Sequence, residues 1–450
     1  MDLIGLIPNF GSLALTLVSF VAALMVIVFV HEYGHYIIGR WTGIRAEVFS
    51  IGMGPALWSR RDRRGTRWQI AAFPIGGYVK FAGDANAASA GVDEDALSGL
   101  TDEERRHTMA GAPLWARAST VLAGPVFNFI LSIAVFSVFA AMQGVATEPL
   151  TVAQVPAMPA QEQGAGGGLQ PGDEILAIAG KPTPPLEDFP DFVQDLPEES
   201  PLTYTVRRAG QVIEVAAPHP YPARVNAVSP GSAAMEAGLR EGDVIVAASG
   251  QPVATFAQIR DIVGESGGEP LELKVWRAGK MLDLTLVPRK VDLPRGDGSF
   301  ETRWLIGIVG GFLFEPASRP LGPVEALRAG ADQTWYIIRA SVSGLYHMIA
   351  GNISSCNLRG PIGIAETSGQ AAAQGLDSFI WFIGVLSTAI GFLNLFPVPM
   401  LDGGHLLFYA YEAVARRPPS EGALRFLYAV GLVLVLGLMV FGLTNDLRCP

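Results

Sequence analysis

Residues 28–40 read VFVHEYGHYIIGR. The stretch opens as apolar as a membrane helix, then sets two histidines and a glutamate where hydrocarbon would continue. On a helix, residues i and i+4 share a face, so His31 and His35 can grip one metal ion. Glu32 stands beside them, placed to take a proton from a bound water. A charged group inside a membrane costs roughly 2.5–3.5 kcal/mol on insertion scales, and so marks a functional site by default. The bland alternative is that the histidines only mark the helix end and reach toward the interface.

The chain around this motif is that of a membrane protein with soluble parts. It has 450 residues, 50% of them hydrophobic and 16% charged, with a mean hydropathy of +0.33. A net charge of −10 argues against a nucleic-acid partner. The two cysteines, Cys356 and Cys449, make neither a disulfide framework nor a cysteine-rich metal site. The start lacks the basic n-region of a cleaved signal peptide, and its apolar run is too long for one. Uncharged runs cover 3–30, 118–147, 378–401 and 426–445. About 20 apolar residues cross a bilayer, so four transmembrane helices are expected. The segment near 331–350 is interrupted by Asp332, Arg339 and His347 and reads as an amphipathic helix at the membrane.

Arginines orient the chain. Residues 1–12 carry no Lys or Arg, whereas the loop after the first run carries Arg40, Arg45, Arg60, Arg61, Arg63, Arg64 and Arg67. Basic loops stay in the cytoplasm. The expected parts are a first helix at 1–37, an inner loop at 38–117, a second helix at 118–147 and an outer segment at 148–377. A third helix at 378–401, an inner loop at 402–425 and a fourth helix at 426–445 complete the series, with both termini outside. Within the inner loop, 85–112 is alanine-rich and acidic. The outer segment holds a repeat: GLQPGDEILAIAGKP at 168–182 matches GLREGDVIVAASGQP at 238–252 in eight of fifteen positions. A β-hairpin pattern follows each copy, so two similar small domains are expected at 148–222 and 223–315, with an amphipathic segment at 316–377.

Two histidines leave a catalytic metal site short of a ligand. The segment NLFPVPMLDGGH at 394–405 offers Asp402 at the inner end of the third run, the depth at which His31 and His35 end the first. Pro397 and Pro399 break the helix there. Broken backbone at membrane depth is tolerated only where protein or a water-filled cavity satisfies it. Aspartate followed by two glycines also suits an ordinary helix start, but the matching depth favours a ligand.

HExxH in a first membrane helix, a later N-x-x-P-x-P-x-L-D-G-G segment and repeated PDZ-like domains together resemble the site-2 protease family, over nearly the whole chain. The resemblance implies a multi-pass α-helical membrane protein with four transmembrane helices. It also implies a membrane re-entrant β-hairpin, carried by FPIGGYVKF within about 67–82, and two tandem periplasmic PDZ-like α+β domains. It implies an intramembrane zinc metalloprotease of the bacterial inner membrane, active near the cytoplasmic side, with one Zn2+ held by His31, His35 and Asp402 and with Glu32 as general base. Asn394 is an implied substrate-handling residue, and Asn128 (in AGPVFNF, 123–129) is implied to lie near the active site, binding substrate or packing helices; the glycines Gly76 and Gly77 either serve substrate binding or form an ordinary hairpin turn. The implied substrates are single-pass transmembrane proteins, such as an anti-sigma factor already trimmed by another protease, or remnant signal peptides. An unwound substrate needs a strand edge to pair with, which the hairpin would provide by β-augmentation. The PDZ-like domains would bind a peptide or act as a size filter. Two other readings compete: a non-enzymatic membrane-anchored PDZ scaffold or chaperone, and a metal transporter. Against the transporter, the membrane segments show no inverted repeat.

Overall fold

The computed structural model describes residues 10–84, 99–159, 168–294 and 300–448. Much of the acidic 85–112 stretch (85–98) lies outside the described residues, as do residues 1–9. The chain divides into two compact units. One comprises Met1–Val138, Ala326–Tyr346 and Leu358–Pro450; the other comprises Phe139–Glu325 and His347–Asn357.

The longer helices are α1 (Phe10–Trp41), α2 (Leu114–Gln143), α3 (Pro323–Ile349), α4 (Pro361–Gln374), α5 (Leu376–Asn394), α6 (Asp402–Ala415) and α7 (Glu421–Arg448). Of these, α1, α2, α5 and α7 are long and apolar enough to cross a membrane. Their limits differ from the uncharged runs. α1 continues to Trp41, and α2 starts at Leu114, taking in Arg117. The third run does not remain helical to 401: α5 stops at Asn394, because Pro397 and Pro399 lack the N–H a helix needs. The expected amphipathic segment is a longer helix, α3, followed by a second one, α4.

Lipid tails are as apolar as leucine, so membrane helices associate through small residues and hydrogen bonds. A side chain on Gly34 of α1 would meet the Ala123 carbonyl oxygen of α2 at 2.5 Å. Ser132 of α2 donates to the Gly384 carbonyl of α5 (2.9 Å), and Ser387 of α5 donates back to the Asn128 carbonyl (2.9 Å). The Asp446 carboxylate of α7 accepts from the N–H groups of Gly360 (2.7 Å) and Ile362 (3.0 Å), capping the start of α4.

Between α1 and α2 runs a long hairpin, β1 (Ala46–Arg61) and β2 (Arg67–Phe81). Its turn is at 62–66, where Asp62 Oδ1 accepts from the N–H groups of Arg64 (2.8 Å) and Thr66 (3.0 Å). The expected hairpin at about 67–82, centred on Gly76 and Gly77, is thereby corrected: that stretch is one strand, and its partner begins at Ala46. Both strands bend. Residues 46–51 pair with 77–81 on one side and with 67–70 on the other, and 56–61 pair with 67–71. The order across the sheet is therefore 77–81, 46–51, 67–71, 56–61. Around the bends, Met53, Leu57 and Phe73 are exposed apolar residues.

The second unit contains two α+β modules, each a four-stranded antiparallel sheet with its own core and a short helix. In the first, Glu174–Ile178 lies between Lys181–Pro182 and Leu202–Arg208, with Gln211–Ala217 outermost. In the second, Val244–Ala248, Gln251–Pro252, Leu271–Arg277 and Lys280–Leu286 repeat the pattern. The chain then returns to the first module. Glu315–Pro316 pairs with Val152–Gln154, and Leu313 and Phe314 are buried in the first core. The boundary expected at 315/316 thus cuts through a strand that closes the earlier module.

The repeated Gly-Leu-x-x-Gly-Asp pattern has one physical cause. Asp173 and Asp243 are each fully buried. Each accepts from the N–H three residues before it, Gln170 (2.8 Å) and Arg240 (2.9 Å). Each also takes a two-pronged guanidinium, from Arg208 (2.7 and 2.8 Å) and Arg277 (2.7 Å for both prongs). The same arginines donate to the carbonyls of Gly168 and Gly238. Replacing Arg208 by leucine would strand a buried carboxylate, an expected loss of roughly 3 kcal/mol or more. The thermal midpoint of the purified chain checks this, and an unchanged midpoint refutes it. Burial pushes the Asp173 carboxyl up, but Arg208 and the Gln170 N–H outweigh it and hold it below the usual carboxylate range. Stability from Asp173 is therefore full above the unfolded value, about 4, and is lost as pH falls through the lower folded value. The gap between wild type and variant is expected to close on acidification through that range.

Candidate active site and metal centre

α1 is unbroken through His31, Glu32 and His35, so the two imidazoles project from one face, with their Nε2 atoms 3.1 Å apart. The loop 395–401 and the start of α6 bring Asp402 to them. Its Oδ2 lies 3.1 Å from His31 Nε2, and its Oδ1 lies 3.5 Å from His35 Nε2. Four bonds of about 2.0–2.1 Å to a tetrahedral zinc put its ligand atoms roughly 3.3 Å apart. The two nitrogens and the nearer carboxylate oxygen of each therefore approach the spacing of such a site. Asp402 Oδ2 is buried and accepts no hydrogen bond from the described residues, as expected of an oxygen whose partner is an ion.

Close packing holds each donor. His35 Nδ1 is 2.9 Å from the Thr120 carbonyl of α2, to which it donates, leaving Nε2 with its lone pair inward. His31 Nδ1 is 3.2 Å from the Asn128 amide nitrogen of α2. Gly124, one turn along α2, forms the floor. A Cβ there would sit 2.4 Å from His35 Nε2 and 2.8 Å from His31 Cε1. The two glycines after Asp402 fix its place. A side chain on Gly403 would come within 2.3 Å of the Leu395 and Phe396 carbonyls, and one on Gly404 within 2.4 Å of that of Val398. Gly431 of α7 meets Pro399 even more closely, supporting the loop from behind. A half-buried two-pronged ion pair, Arg117 to Glu412 (3.1 and 2.6 Å), ties α6 to α2.

Glu32 faces the hairpin. A Cβ on Gly77 of β2 would lie 3.2 Å from Glu32 Cγ. Gly77 thus allows the outermost strand of the sheet to run against α1 beside the glutamate. Gly76 has a positive φ (75°), a conformation that favours glycine.

The residues expected at the site divide accordingly. His31, His35 and Asp402 converge, Glu32 adjoins them, Gly77 touches Glu32, and Asn128 stands behind His31. Asn394 ends α5, half-buried, at the mouth of the loop leading to Asp402. Sequence reasoning misses Thr120, Gly124 and the Arg117–Glu412 pair. For Arg117 the signal is a lone charge just ahead of an apolar run; the others act through backbone, or through the absence of a side chain.

Comparison with known proteins agrees with this geometry. The model of peptidase family M50 matches residues 19–438. A protein of Agrobacterium fabrum bearing the name "Putative zinc metalloprotease" is 37% identical over 442 residues, covering 97% of both chains. The regulator of sigma-E protease of Escherichia coli is 34% identical over 466 residues, covering 96% of this chain and 98% of its own. That of Salmonella typhimurium is 34% identical over 473 residues, covering 97% and 99%. The chain therefore belongs to peptidase family M50, the site-2 proteases, and is a membrane zinc metalloprotease of that type.

Proposed function

We propose that the protein hydrolyses a peptide bond within the transmembrane segment of single-pass membrane proteins. The observation that carries this reading is the meeting of His31, His35 and Asp402 beside Glu32, on and next to helices apolar enough to span a bilayer. The three residues are assigned as zinc ligands and Glu32 as general base. Bound zinc supplies an activated water and a Lewis acid for the scissile carbonyl. Glu32 takes the proton from the attacking water and passes it to the leaving amine.

A membrane helix shields its own carbonyls, so the substrate must unwind, and its freed backbone groups then need partners. The edge strand 77–81 next to Glu32 is the natural template for an added strand, with Gly76 and Gly77 keeping the approach open. Asn394, at the end of α5, is assigned to the opened backbone. For Asn128 the geometry favours positioning over substrate contact. An ion on His31 Nε2 requires a proton on Nδ1, which needs an acceptor. The Asn128 Oδ1 is buried without a partner, and turning the amide by 180° supplies that acceptor.

The two α+β modules are read as PDZ-like. A cavity of about 790 Å³ lies between them, walled by Phe256, Phe312, His219 and Arg260, and suits an extended peptide or the exclusion of a folded one. The basic loop is assigned to the cytoplasm, and the modules to the periplasm of a bacterial inner membrane. Relatives named for sigma-E regulation support a role in envelope stress signalling, with a trimmed anti-sigma factor as one substrate.

Three measurements test these assignments. Glu32→Gln is expected to retain zinc while cleaving a single-pass substrate about 10²–10⁴-fold more slowly; normal cleavage would leave a scaffold or chaperone as the better reading. Gly124→Ala is expected to drive the imidazoles apart and lower zinc content, whereas Gly437→Ala, with open space around it, leaves zinc unchanged. Equal zinc in both would exclude the floor role. Asn128→Asp keeps an acceptor for His31 and is expected to hold zinc, whereas Asn128→Leu is expected to weaken it about 10–100-fold. Equal affinities would return Asn128 to the substrate side.

A further inference from the structure

The described residues contain a second polar cavity, remote in chemistry from the metal centre. It has a volume of about 960 Å³ and lies at the base of the β1–β2 hairpin. Across the sheet, Val48 stands opposite both Lys80 and Arg67, and Arg61 stands opposite Arg67. Directly opposed residues share a face. One row of the sheet therefore presents Lys80, Val48, Arg67 and Arg61, and all four line the cavity, with Arg45 alongside.

Like charges set directly opposite one another destabilise a sheet. The acids on the wall do not relieve this. Glu47 pairs with Lys80 (3.3 Å), and Glu104 is held by the Thr101 N–H (2.9 Å) and hydroxyl (2.8 Å). No carboxylate among the described residues pairs with Arg45, Arg61 or Arg67. Among the described residues, three exposed guanidinium groups thus face one cavity without a carboxylate partner. Planar guanidinium forks match phosphate oxygens two at a time.

The position of the cavity identifies where that phosphate comes from. Arg45 follows by four residues the end of α1, a helix fit to span a membrane. The same hairpin carries exposed Met53, Leu57 and Phe73 at its bends. From Arg61 to Leu57 is four strand residues, about 13 Å. A basic hollow thus sits one short step from apolar surface, the arrangement that a headgroup and its acyl chains would span.

We propose that this hollow binds the phosphate of an anionic phospholipid headgroup through Arg45, Arg61 and Arg67, seating the hairpin at a fixed depth beside Glu32. The inference does not depend on the peptidase reading. The test uses the full chain in neutral detergent, with zinc content as the check on folding. Dihexanoyl phosphatidylglycerol is titrated at constant ionic strength while the thermal midpoint is followed, in parallel with dihexanoyl phosphatidylcholine and inorganic phosphate. Phosphatidylglycerol is expected to raise the midpoint saturably and phosphatidylcholine to leave it unchanged. The double variant Arg61→Gln/Arg67→Gln is expected to bind phosphatidylglycerol on the order of tenfold more weakly. Arg60→Gln/Arg63→Gln, which removes equal charge outside the cavity, is expected to match wild type. Equal weakening in both variants, or no saturable response, overturns the proposal. A full response to inorganic phosphate alone overturns the lipid assignment.

Discussion

The Asp402 carboxylate, through its two oxygens, and the Nε2 atoms of His31 and His35 lie 3.1–3.5 Å from one another. Electron-rich atoms at that spacing repel unless a proton or a metal cation sits among them. In a membrane, where unsatisfied polar atoms cost several kcal/mol each, such a cluster needs surroundings built for it. Much of the first unit is that building. Thr120 orients one ring and Asn128 backs the other, Gly124 makes room for both, and the glycines after Asp402 let α6 begin hard against the loop that precedes it.

The same economy of small residues places the hairpin. Gly77 has no side chain because the strand passes so close to Val28 and Glu32 of α1. A strand edge is thus held beside a proton acceptor and a metal centre. An extended polypeptide paired along that edge would be presented as backbone near Glu32. This agrees with a protease whose substrates must lose their helix before they react.

The convergence of His31, His35 and Asp402 is legible in the sequence because two of them are side chains at a fixed helical spacing, and because Pro397 and Pro399 announce a break just before the third. The hairpin is legible only in part. Paired glycines favour tight turns, so Gly76 and Gly77 draw the turn toward themselves. The turn belongs to Asp62, whose carboxylate caps it, in a stretch where four neighbouring arginines look like plain surface. Leu313 and Phe314 fall to the wrong module on sequence alone, because a strand that returns to an earlier fold carries no mark of its destination; only the first core, which needs them, decides. The Asp173–Arg208 clamp is visible as a repeat before it is visible as an interaction. Both halves recur at nearly the same offset because a buried carboxylate and its guanidinium must be kept together.

Charge follows a different logic at the hairpin from the rest of the chain. Three charge pairs are buried or half-buried: Asp173 with Arg208, Asp243 with Arg277, Arg117 with Glu412. The arginines at the hairpin base are exposed instead, Arg61 directly opposite Arg67, and the nearby Glu47 is engaged by Lys80. They also sit at the foot of the element that carries the strand edge to Glu32. A cationic foot and an apolar bend give the hairpin a preferred depth in an anionic bilayer, since the foot is drawn to headgroups and the bend to hydrocarbon. Glu32 is fixed in depth by α1. The register between edge and glutamate then depends on the lipid as well as on the packing of Gly77, so membrane composition acts on the reaction through the hairpin rather than through the metal.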